Sequence, residues 1–312
     1  MKKTIQIAGI DIGGTKCAVL HADYSDGECH ITSKNSFKTA DYKNPMDALA
    51  KMEELLSLHP FSAIGISCGG PLDSKKGIIL SPPNLPGWDE IHIKEYFEEK
   101  FAVPCHINND ANACALAEWK IGAGKGMDNV IFMTFGTGLG AGLILDGKLF
   151  AGTNDMAGEI GHVRLSPFGS VGYGKAGSAE GFCSGSGIRQ LALSRLLELK
   201  QLGIRHFLHE KGEDLSAYDV FLSARKGDAL AKDIIRITGE KLGEICAILV
   251  DLLNPEAIVI GSIYARNEDL LFPIANEVLR KESLAHSYGC VKILPAALGE
   301  EIGDYAALMC AI

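Results

Sequence analysis

A carboxylate flanked by amides, in Asn108-Asn109-Asp110-Ala111-Asn112, lies between an apolar segment and an alanine-rich one. Residues 101–107 predict a short strand with Pro104 near its start, and residues 113–119 have strong helix propensity. Ligands bind parallel α/β sheets at such strand-to-helix junctions, where Asp110 could act as a general base. Asn and Asp are also ordinary helix caps. Both interpretations of Asp110 remain open at this point.

A glycine-rich turn near the amino terminus could bind phosphate. Residues 5–11 and 17–22 predict two strands, and the few residues between them favour an antiparallel hairpin. A P-loop or a dinucleotide fingerprint would open a helix instead. Glycines in such a turn let backbone N–H groups approach an anion closely, although a plain hairpin remains the alternative. The candidate residues are Asp11, Gly13, Gly14, Thr15 and Lys16.

The same arrangement occurs a second time. Residues 129–135 predict a strand that enters Gly136-Thr137-Gly138-Leu139-Gly140, and a further strand leaves over 141–148. The repetition indicates an internal duplication, and two facing glycine hairpins could hold a triphosphate. A buried strand over 257–260 ends at Gly261, a usual place for a nucleotide to approach a sheet.

Several polar or glycine-rich segments are candidates for binding a substrate. The strand predicted over 63–67 ends at a glycine pair, where Gly70 either makes room for a ligand or turns the chain. In the proline-rich loop 81–88, Asn84 and Trp88 could face a polar, ring-shaped ligand.

The region 154–187 has little periodicity and many glycines. Such a long stretch inside a compact protein is usually functional. Its candidates for chemistry are Glu159 and His162, in Gly-Glu-Ile-Gly-His, and Glu180 further along.

Helical periodicity predicts the supporting elements. The helix from Asn44 or Pro45 to Leu58 is expected to bury Met46, Leu49, Met52, Leu55 and Leu56. Further helices are expected over 91–101, 188–208, 218–224, 228–253 and 298–310, with a late strand over 292–295.

The composition bounds the class of protein. The chain has 312 residues, 47% of them hydrophobic and 22% charged, typical of a globular protein of one large or two ordinary domains. The net charge of −9 argues against phosphate-driven binding to nucleic acid. No apolar run approaches the ~20 residues of a membrane span. The strand expected over 1–7 leaves no room for a signal peptide, and nine scattered cysteines without a C-x-x-C pair favour a reducing cytoplasm.

Taken together, five motifs resemble the ROK family of sugar kinases and sugar-responsive repressors. They are Asp11-x-Gly13-Gly14-Thr15-Lys16, Asn84-Leu85-x-Gly87-Trp88, Asn109-Asp110-Ala111-Asn112-Ala113, Gly136-Thr137-Gly138-x-Gly140 and Gly158-Glu159-x-Gly161-His162. The resemblance covers essentially the whole chain. It implies an α/β actin-like ATPase (ribonuclease H-like) fold, with two domains of duplicated ancestry around a central cleft. The expected domains are 1–119 plus 299–312, where the C-terminal helix returns, and 120–298.

The resemblance also implies roles for individual residues. Asp110 would be the general base for phosphorylation of a sugar, with ATP and Mg²⁺ as cofactors and Mg²⁺ reaching Asp11 through water. The residues expected to bind the sugar are Gly70, Asn84, Asn109, Asp110, Glu159, His162 and Glu180. ATP would be held by Asp11, Gly13, Gly14, Thr15, Lys16, Gly136, Thr137, Gly138 and Gly261. A cytoplasmic homodimer is implied as well.

Two departures from the family pattern are informative. Many members carry a zinc site of pattern C-x-C-G-x-x-G-C-x-E with a histidine as fourth ligand, but here Val171, Tyr173 and Ser178 stand at the cysteine positions. These side chains offer no thiolate, so we expect no structural zinc and expect His162 to serve only the sugar. Ser262 follows Gly261 where a second glycine is commoner.

The leading hypothesis is therefore an ATP-dependent kinase of a hexose or N-acetylhexosamine, acting on the 6-hydroxyl of a sugar such as glucose. The alternative is a noncatalytic sugar-binding or regulatory ROK protein without a DNA-binding domain. A DNA-binding repressor is disfavoured, because Asp11 lies too close to the amino terminus for the ~60–80 residues of a preceding helix-turn-helix segment.

Overall fold

The computed structural model describes residues 4–312, which form two compact units. The first unit comprises the described residues up to Asp128 together with Gly142–Ala157 and Ala297–Ile312. The second comprises Asn129–Ala141 and Gly158–Ala296. Residues 1–3 of the strand expected over 1–7 lie outside the described residues.

The strands within residues 4–312 are β1 (Ile5–Ile12), β2 (Lys16–Ser25), β3 (Glu28–Lys38), β4 (Ile64–Cys68), β5 (Leu72–Asp73), β6 (Ile78–Ile79), β7 (Cys105–Asn109), β8 (Val130–Phe135), β9 (Leu139–Leu145), β10 (Lys148–Leu149), β11 (Val171–Gly172), β12 (Lys175–Ala176), β13 (Ala257–Ile260) and β14 (Lys292–Pro295).

The α-helices of the same described region are α1 (Pro45–Leu56), α2 (Ile93–Phe101), α3 (Asp110–Ile121), α4 (Ala179–Phe182), α5 (Gly185–Gln201), α6 (Ala217–Arg225), α7 (Ala229–Leu253), α8 (Ile263–Arg266), α9 (Glu268–Glu282), α10 (Ala285–Tyr288) and α11 (Ile302–Met309). None of these helices has both the length and the apolar composition needed to span a bilayer.

The first sheet brings three polar residues into line. Its strand order is β3-β2-β1-β4-β7, with an antiparallel pair β1–β2 at the predicted glycine hairpin and parallel pairs β1–β4 and β4–β7. Asp11 pairs with Ser67, and Ser67 pairs with Asn108. Since the carboxyl ends of parallel strands share one edge of a sheet, this register collects polar side chains at the edge where ligands bind α/β sheets.

The second sheet has the order β10-β9-β8-β13-β14. Strand β13 is parallel to both β8 and β14. As in the first sheet, two consecutive strands joined by a glycine turn are followed by two parallel strands. This repeated pattern agrees with the predicted internal duplication.

Three expectations about the first unit are wrong. Trp88 is 2% exposed and belongs to the hydrophobic core, so it does not face a ligand. Met46 is 47% exposed, because it lies in the first turn of α1, ahead of the buried stripe. The strand expected from residue 101 begins at Cys105, because Phe101 ends α2 and Ala102 caps that helix in a left-handed conformation with φ 54°.

Helix α11 packs main chain against main chain on the first sheet. A β-carbon built at Gly65 would lie 2.1 Å from the carbonyl oxygen of Ala307, and one at Gly9 would lie 2.9 Å from the amide nitrogen of Leu308. Only glycine leaves room for this approach. The segment Ala306–Met309 is consequently fully buried.

A buried carboxylate joins α3 to the segment that leads into α11. Glu118 is fully buried and accepts hydrogen bonds from the backbone N–H groups of Ala123 at 2.8 Å, Ala297 at 3.2 Å and Leu298 at 2.9 Å. A buried charge is tolerated only when its lone pairs are satisfied, and here backbone amides satisfy them. Glu118 therefore fixes where the returning chain meets α3.

Replacing Gly65 with alanine is expected to lower the free energy of unfolding by about 1–3 kcal/mol, because the new methyl group must displace the α11 backbone. Thermal or urea unfolding measures the loss. Gly289→Ala is the matched control, since a β-carbon there meets its nearest atom at an ordinary 3.5 Å. Equal stability of the two variants would contradict the close packing of α11.

Candidate active site

The first turn of α3 separates the cap of the helix from its reactive carboxylate. Asn109 is the N-cap, and its side chain accepts a hydrogen bond from the Asn112 amide at 2.8 Å. Asp110 is the first helical residue, and its carboxylate accepts a hydrogen bond from the Ser67 hydroxyl at 3.3 Å. Because Asn109 satisfies the helix end, the Asp110 side chain is available for other chemistry.

Asp110 and Asn84 converge on Gly69. A β-carbon built at Gly69 would lie 3.3 Å from the side-chain oxygen of Asn84 and 3.6 Å from Oδ2 of Asp110. The Asp110 side chain reaches solvent, yet protein surrounds most of it, and this burial raises the pKa of Asp110. The hydrogen bond from Ser67 lowers that pKa in part. Asp110 is thus a stronger base than a fully solvated aspartate.

Asp11 carries the most strongly perturbed carboxylate of this group. Burial, followed by repulsion from Asp110 and Asp304, raises the pKa of Asp11 to about 7, although Lys16 and Lys34 act in the opposite direction. Lys34 also forms an ion pair with Asp304 on α11. Concentrated negative charge of this kind favours the binding of a cation.

The glycine hairpin lies beside the same side chains. The Gly13 amide donates to the Lys16 carbonyl at 3.0 Å, and the Thr39 hydroxyl donates to the Gly13 carbonyl at 2.6 Å. A β-carbon built at Gly14 would lie 2.6 Å from the carbonyl oxygen of Asn84, so the hairpin packs against the loop that carries Asn84. Gly14, Thr15 and Lys16 remain exposed.

Gly70 does not join this cluster. It is exposed, and a β-carbon built there would meet no atom of the described residues within 4 Å. The open space beside Gly70 leaves its assignment to sugar binding a prediction.

In the second unit, Glu180 lies directly on the other hairpin. Its carboxylate accepts a hydrogen bond from the Leu139 amide at 3.1 Å, and a β-carbon at Gly138 would lie 2.8 Å from Oε2 of Glu180. The sequence assigned Glu180 to the sugar and Gly138 to ATP. The structure brings these two residues together.

Glu159 and His162 lie at the ends of one 3₁₀ turn. Both are exposed, and the His162 amide donates to the Glu159 carbonyl at 3.1 Å. The His162 ring meets the Tyr173 ring edge to face with centroids 6.2 Å apart. The Lys175 ammonium donates to the His162 carbonyl at 2.7 Å. The segment is therefore fixed to β12 and the β11–β12 turn by contacts between protein groups.

The positions aligned with zinc-ligating cysteines have other structural roles. Ser178 caps α4 and accepts a hydrogen bond from the Gly181 amide at 3.2 Å. The Val171 amide donates to the side chain of Gln190 at 2.9 Å. Cys183 is buried and donates to the Thr238 carbonyl. Within residues 4–312, no three His, Cys, Asp or Glu side chains are grouped so as to hold a metal ion together.

A cavity of about 840 Å³ lies in the second unit. Gly136 and Thr137 of the predicted hairpin line it, as does Ser262 after β13. Gly261 does not line it, and a β-carbon at Gly261 would instead lie 3.2 Å from the Phe132 ring. The volume is in the range typical of small-molecule sites.

Other residues of this cavity escaped the sequence analysis. They are carried by α5, α6 and α8 and include Ser186, Arg189, Tyr218, Arg225 and Arg266. In a single sequence, polar and charged residues at these helical positions are interpreted as the solvent-exposed face of a helix. Tyr218, an aromatic residue off the buried stripe of α6, is the sequence signal that could have drawn attention to this helix, and the structure leaves its side chain 73% exposed.

Residues 7–311 match the family model described as the ROK family. The chain belongs to the ROK family. It is similar to a glucokinase of Halalkalibacterium halodurans, with 34% identity over 306 residues, 95% of this chain and 91% of the relative. It is also similar to the DNA-binding transcriptional repressor Mlc of Escherichia coli, with 34% identity over 228 residues, 73% of this chain and 55% of the repressor.

The fold agrees with solved ROK structures. A ROK family glucokinase from Streptomyces griseus, in complex with glucose and AMPPNP, superposes with a TM-score of 0.74 at 29% identity, covering 98% of this chain and 99% of that one. The predicted α/β fold of the actin-like ATPase class is therefore confirmed. The ROK family contains sugar kinases and repressors, so membership alone leaves both classes of function.

The raised pKa of Asp11 predicts a pH-dependent loss of stability. Between its unfolded pKa of 3.8 and its folded pKa of about 7, the folded protein binds more protons than the unfolded chain, so stability falls as pH rises through this window. Asp11→Asn removes the free-energy cost of ionising this buried carboxyl group. The substitution should raise Tm by ~2 °C or more at about pH 8, with a smaller gain at about pH 5.

Differential scanning calorimetry at the two pH values measures this difference. Glu99→Gln, an exposed position on α2, is the control and should leave Tm unchanged at both. A gain for Asp11→Asn that is equal at the two pH values would contradict the assignment to Asp11 titration.

The loss of the cysteine ligands predicts that folding needs no zinc. After dialysis against a chelator, elemental analysis should find well under one zinc per chain, and Tm should match that of undialysed protein. One tightly held zinc per chain would show that the alignment of Val171, Tyr173 and Ser178 with the cysteines is wrong.

Proposed function

We propose that this ROK protein transfers the γ-phosphoryl group of ATP to a hydroxyl of a hexose or N-acetylhexosamine, the 6-hydroxyl of glucose being the simplest acceptor. The observation that carries the proposal is the environment of Asp110. Its carboxylate is free of the helix cap, is held by Ser67 and faces the same small space as Asn84. This is the arrangement that a general base needs.

Phosphoryl transfer chiefly requires in-line positioning, stabilisation of charge and a proton acceptor. In the proposed reaction Asp110 accepts the proton of the attacking hydroxyl as the O–P bond forms. Burial raises the pKa of Asp110 and so makes it a better acceptor, while the Ser67 hydrogen bond orients the carboxylate. Asn84 and Asn109 would supply hydrogen bonds to the sugar.

Each glycine hairpin, considered within its own unit, carries groups suited to the phosphates of ATP. Exposed Gly14, Thr15 and Lys16 offer backbone amides and one cation in the first unit, and Gly136 and Thr137 line the cavity of the second. The cavity has apolar and polar walls and a volume suited to a nucleoside.

The acidic residues of the first unit fit Mg²⁺ brought with the nucleotide. Such an ion takes most of its ligands from phosphate and water and only one or two from carboxylates, which suits Asp11 without a dedicated protein cage. When bound, Mg²⁺ neutralises phosphate charge. Asp11, with its pKa raised to about 7, loses its proton more readily when a cation is near.

Exposed Glu159 and His162 would bind sugar hydroxyls together with Glu180, whose carboxylate already accepts one hydrogen bond from the Leu139 amide. The likeness to a glucokinase over 95% of this chain and to a ROK glucokinase in complex with glucose and AMPPNP supports the proposed sugar kinase activity. Similarity to the repressor Mlc supports the second candidate, a sugar-binding regulator that transfers no phosphate.

A coupled assay of ADP release with Mg-ATP tests the proposal across glucose, N-acetylglucosamine, N-acetylmannosamine, fructose, mannose and allose. The wild-type protein should turn over at least one of these sugars. Asp110→Asn should reduce kcat by ~10²–10⁴, because a general base is lost, while calorimetry should find sugar binding retained. Activity should fall on the acid side as Asp110 becomes protonated, at a pH above its ordinary pKa.

Asp47→Asn, an exposed aspartate in the first turn of α1, is the matched control and should keep wild-type turnover. Near-normal turnover of Asp110→Asn would reject Asp110 as the base. A wild-type protein that binds a sugar of this panel but phosphorylates none would favour the regulator over the kinase.

A further inference from the structure

Ser262 occupies a backbone conformation that belongs to glycine. It follows Gly261 at the end of β13 with φ 55° and ψ −117°. In this region the β-carbon of an L-residue clashes with its own main chain, and non-glycine residues persist there only under constraint. A glycine at position 262 would adopt the same backbone without strain.

Within residues 4–312, no contact explains why a serine stands at position 262. Among the described residues, the Ser262 hydroxyl makes no hydrogen bond, and only the main-chain carbonyl is used, accepting from the Arg266 amide at 3.3 Å. The side chain is half-buried and therefore contributes little to a core. Among residues 4–312, no hydrogen bond of the Ser262 side chain offsets this backbone strain.

Ser262 instead lines the 840 Å³ cavity of the second unit. Its Oγ lies 3.7 Å from the position that a β-carbon of Gly136 would occupy, beside the start of the glycine hairpin. Thr137 and Ser186 also line the cavity, and the Ser186 hydroxyl already donates to the Thr137 carbonyl at 2.5 Å. Ser262 thus supplies an uncommitted hydroxyl donor next to the hairpin.

We propose that Ser262 donates a hydrogen bond to a phosphate oxygen of the nucleotide bound in this cavity, and that the strained backbone is the means of aiming it. The proposal rests on the proposed function, which assigns the Gly136–Gly138 hairpin to phosphates. A hydroxyl bound to an anionic oxygen forms a stronger hydrogen bond than one bound to water. Binding of the nucleotide therefore offsets a strain that the free protein carries.

A matched pair of substitutions separates the hydroxyl from the strain. Ser262→Ala removes the hydroxyl and keeps the β-carbon, whereas Ser262→Gly removes both. Each should raise KM for ATP about 10-fold and leave KM for the sugar unchanged, as expected when a hydrogen bond to a charged group is lost. Only Ser262→Gly should raise Tm, by about 2–6 °C, while Ser262→Ala should stay within ~1 °C of the wild type.

Ser194→Ala, an exposed serine on α5 outside the cavity, is the control and should retain wild-type KM and Tm. Competition experiments locate the contact, because both Ser262 variants should bind ADP more weakly and adenosine as the wild type does. Equal weakening for adenosine would overturn the assignment to phosphate. An unchanged KM for ATP in both Ser262 variants would reject the proposed hydrogen bond to phosphate. An unchanged Tm of Ser262→Gly would reject the proposed backbone strain.

These outcomes are distinct from failure of the proposed function. In that case the wild-type protein itself would bind no nucleotide and release no ADP with any sugar. With a wild type that is active, the Ser262 variants test this inference alone.

Discussion

The first unit depends on one steric constraint, the direct contact between the backbone of α11 and the sheet at Gly9 and Gly65. Because Gly9 and Gly65 have no β-carbon, α11 packs close to the sheet. Asp304 on α11 is then near enough to Asp11 to raise its pKa. Glu118 on α3 holds the segment that leads into α11, because its carboxylate accepts hydrogen bonds from the backbone amides of Ala297 and Leu298. Helix packing and the electrostatics of the site are thus parts of the same arrangement.

The parallel register of β1, β4 and β7 places polar residues next to one another at one edge of the first sheet. The pairing of Asp11 with Ser67 and of Ser67 with Asn108 sets three strand ends side by side, and α3 begins two residues later. Two features lower the stability of the protein without ligand. They are the burial and charge repulsion around Asp11 and the strained backbone of Ser262. Strain and repulsion of this kind are common at functional sites, where ligands relieve them.

Features set by a few neighbouring residues could be predicted from the sequence. The glycine hairpins, the start of α1 behind Asn44 and the junction at Asp110 are of this kind. Trp88 was assigned wrongly because a proline-rich loop reads as surface, whereas its ring enters the core. Ser67 and the cavity wall on α6 were missed because strand register and helix packing join residues far apart in sequence. The roles assigned to Asn84, Glu159 and His162 remain predictions.

The return of the chain to its first unit also bears on biosynthesis. Helix α11 is synthesised only after residues 129–296, so the surface of β1 and β4 that it covers stays uncovered until then. During that interval the nascent chain exposes a sheet face shaped for its own helix, and a long loop must close before the contact forms. The glycines that allow close packing therefore make the folding of the first unit dependent on a segment that is synthesised after the second unit.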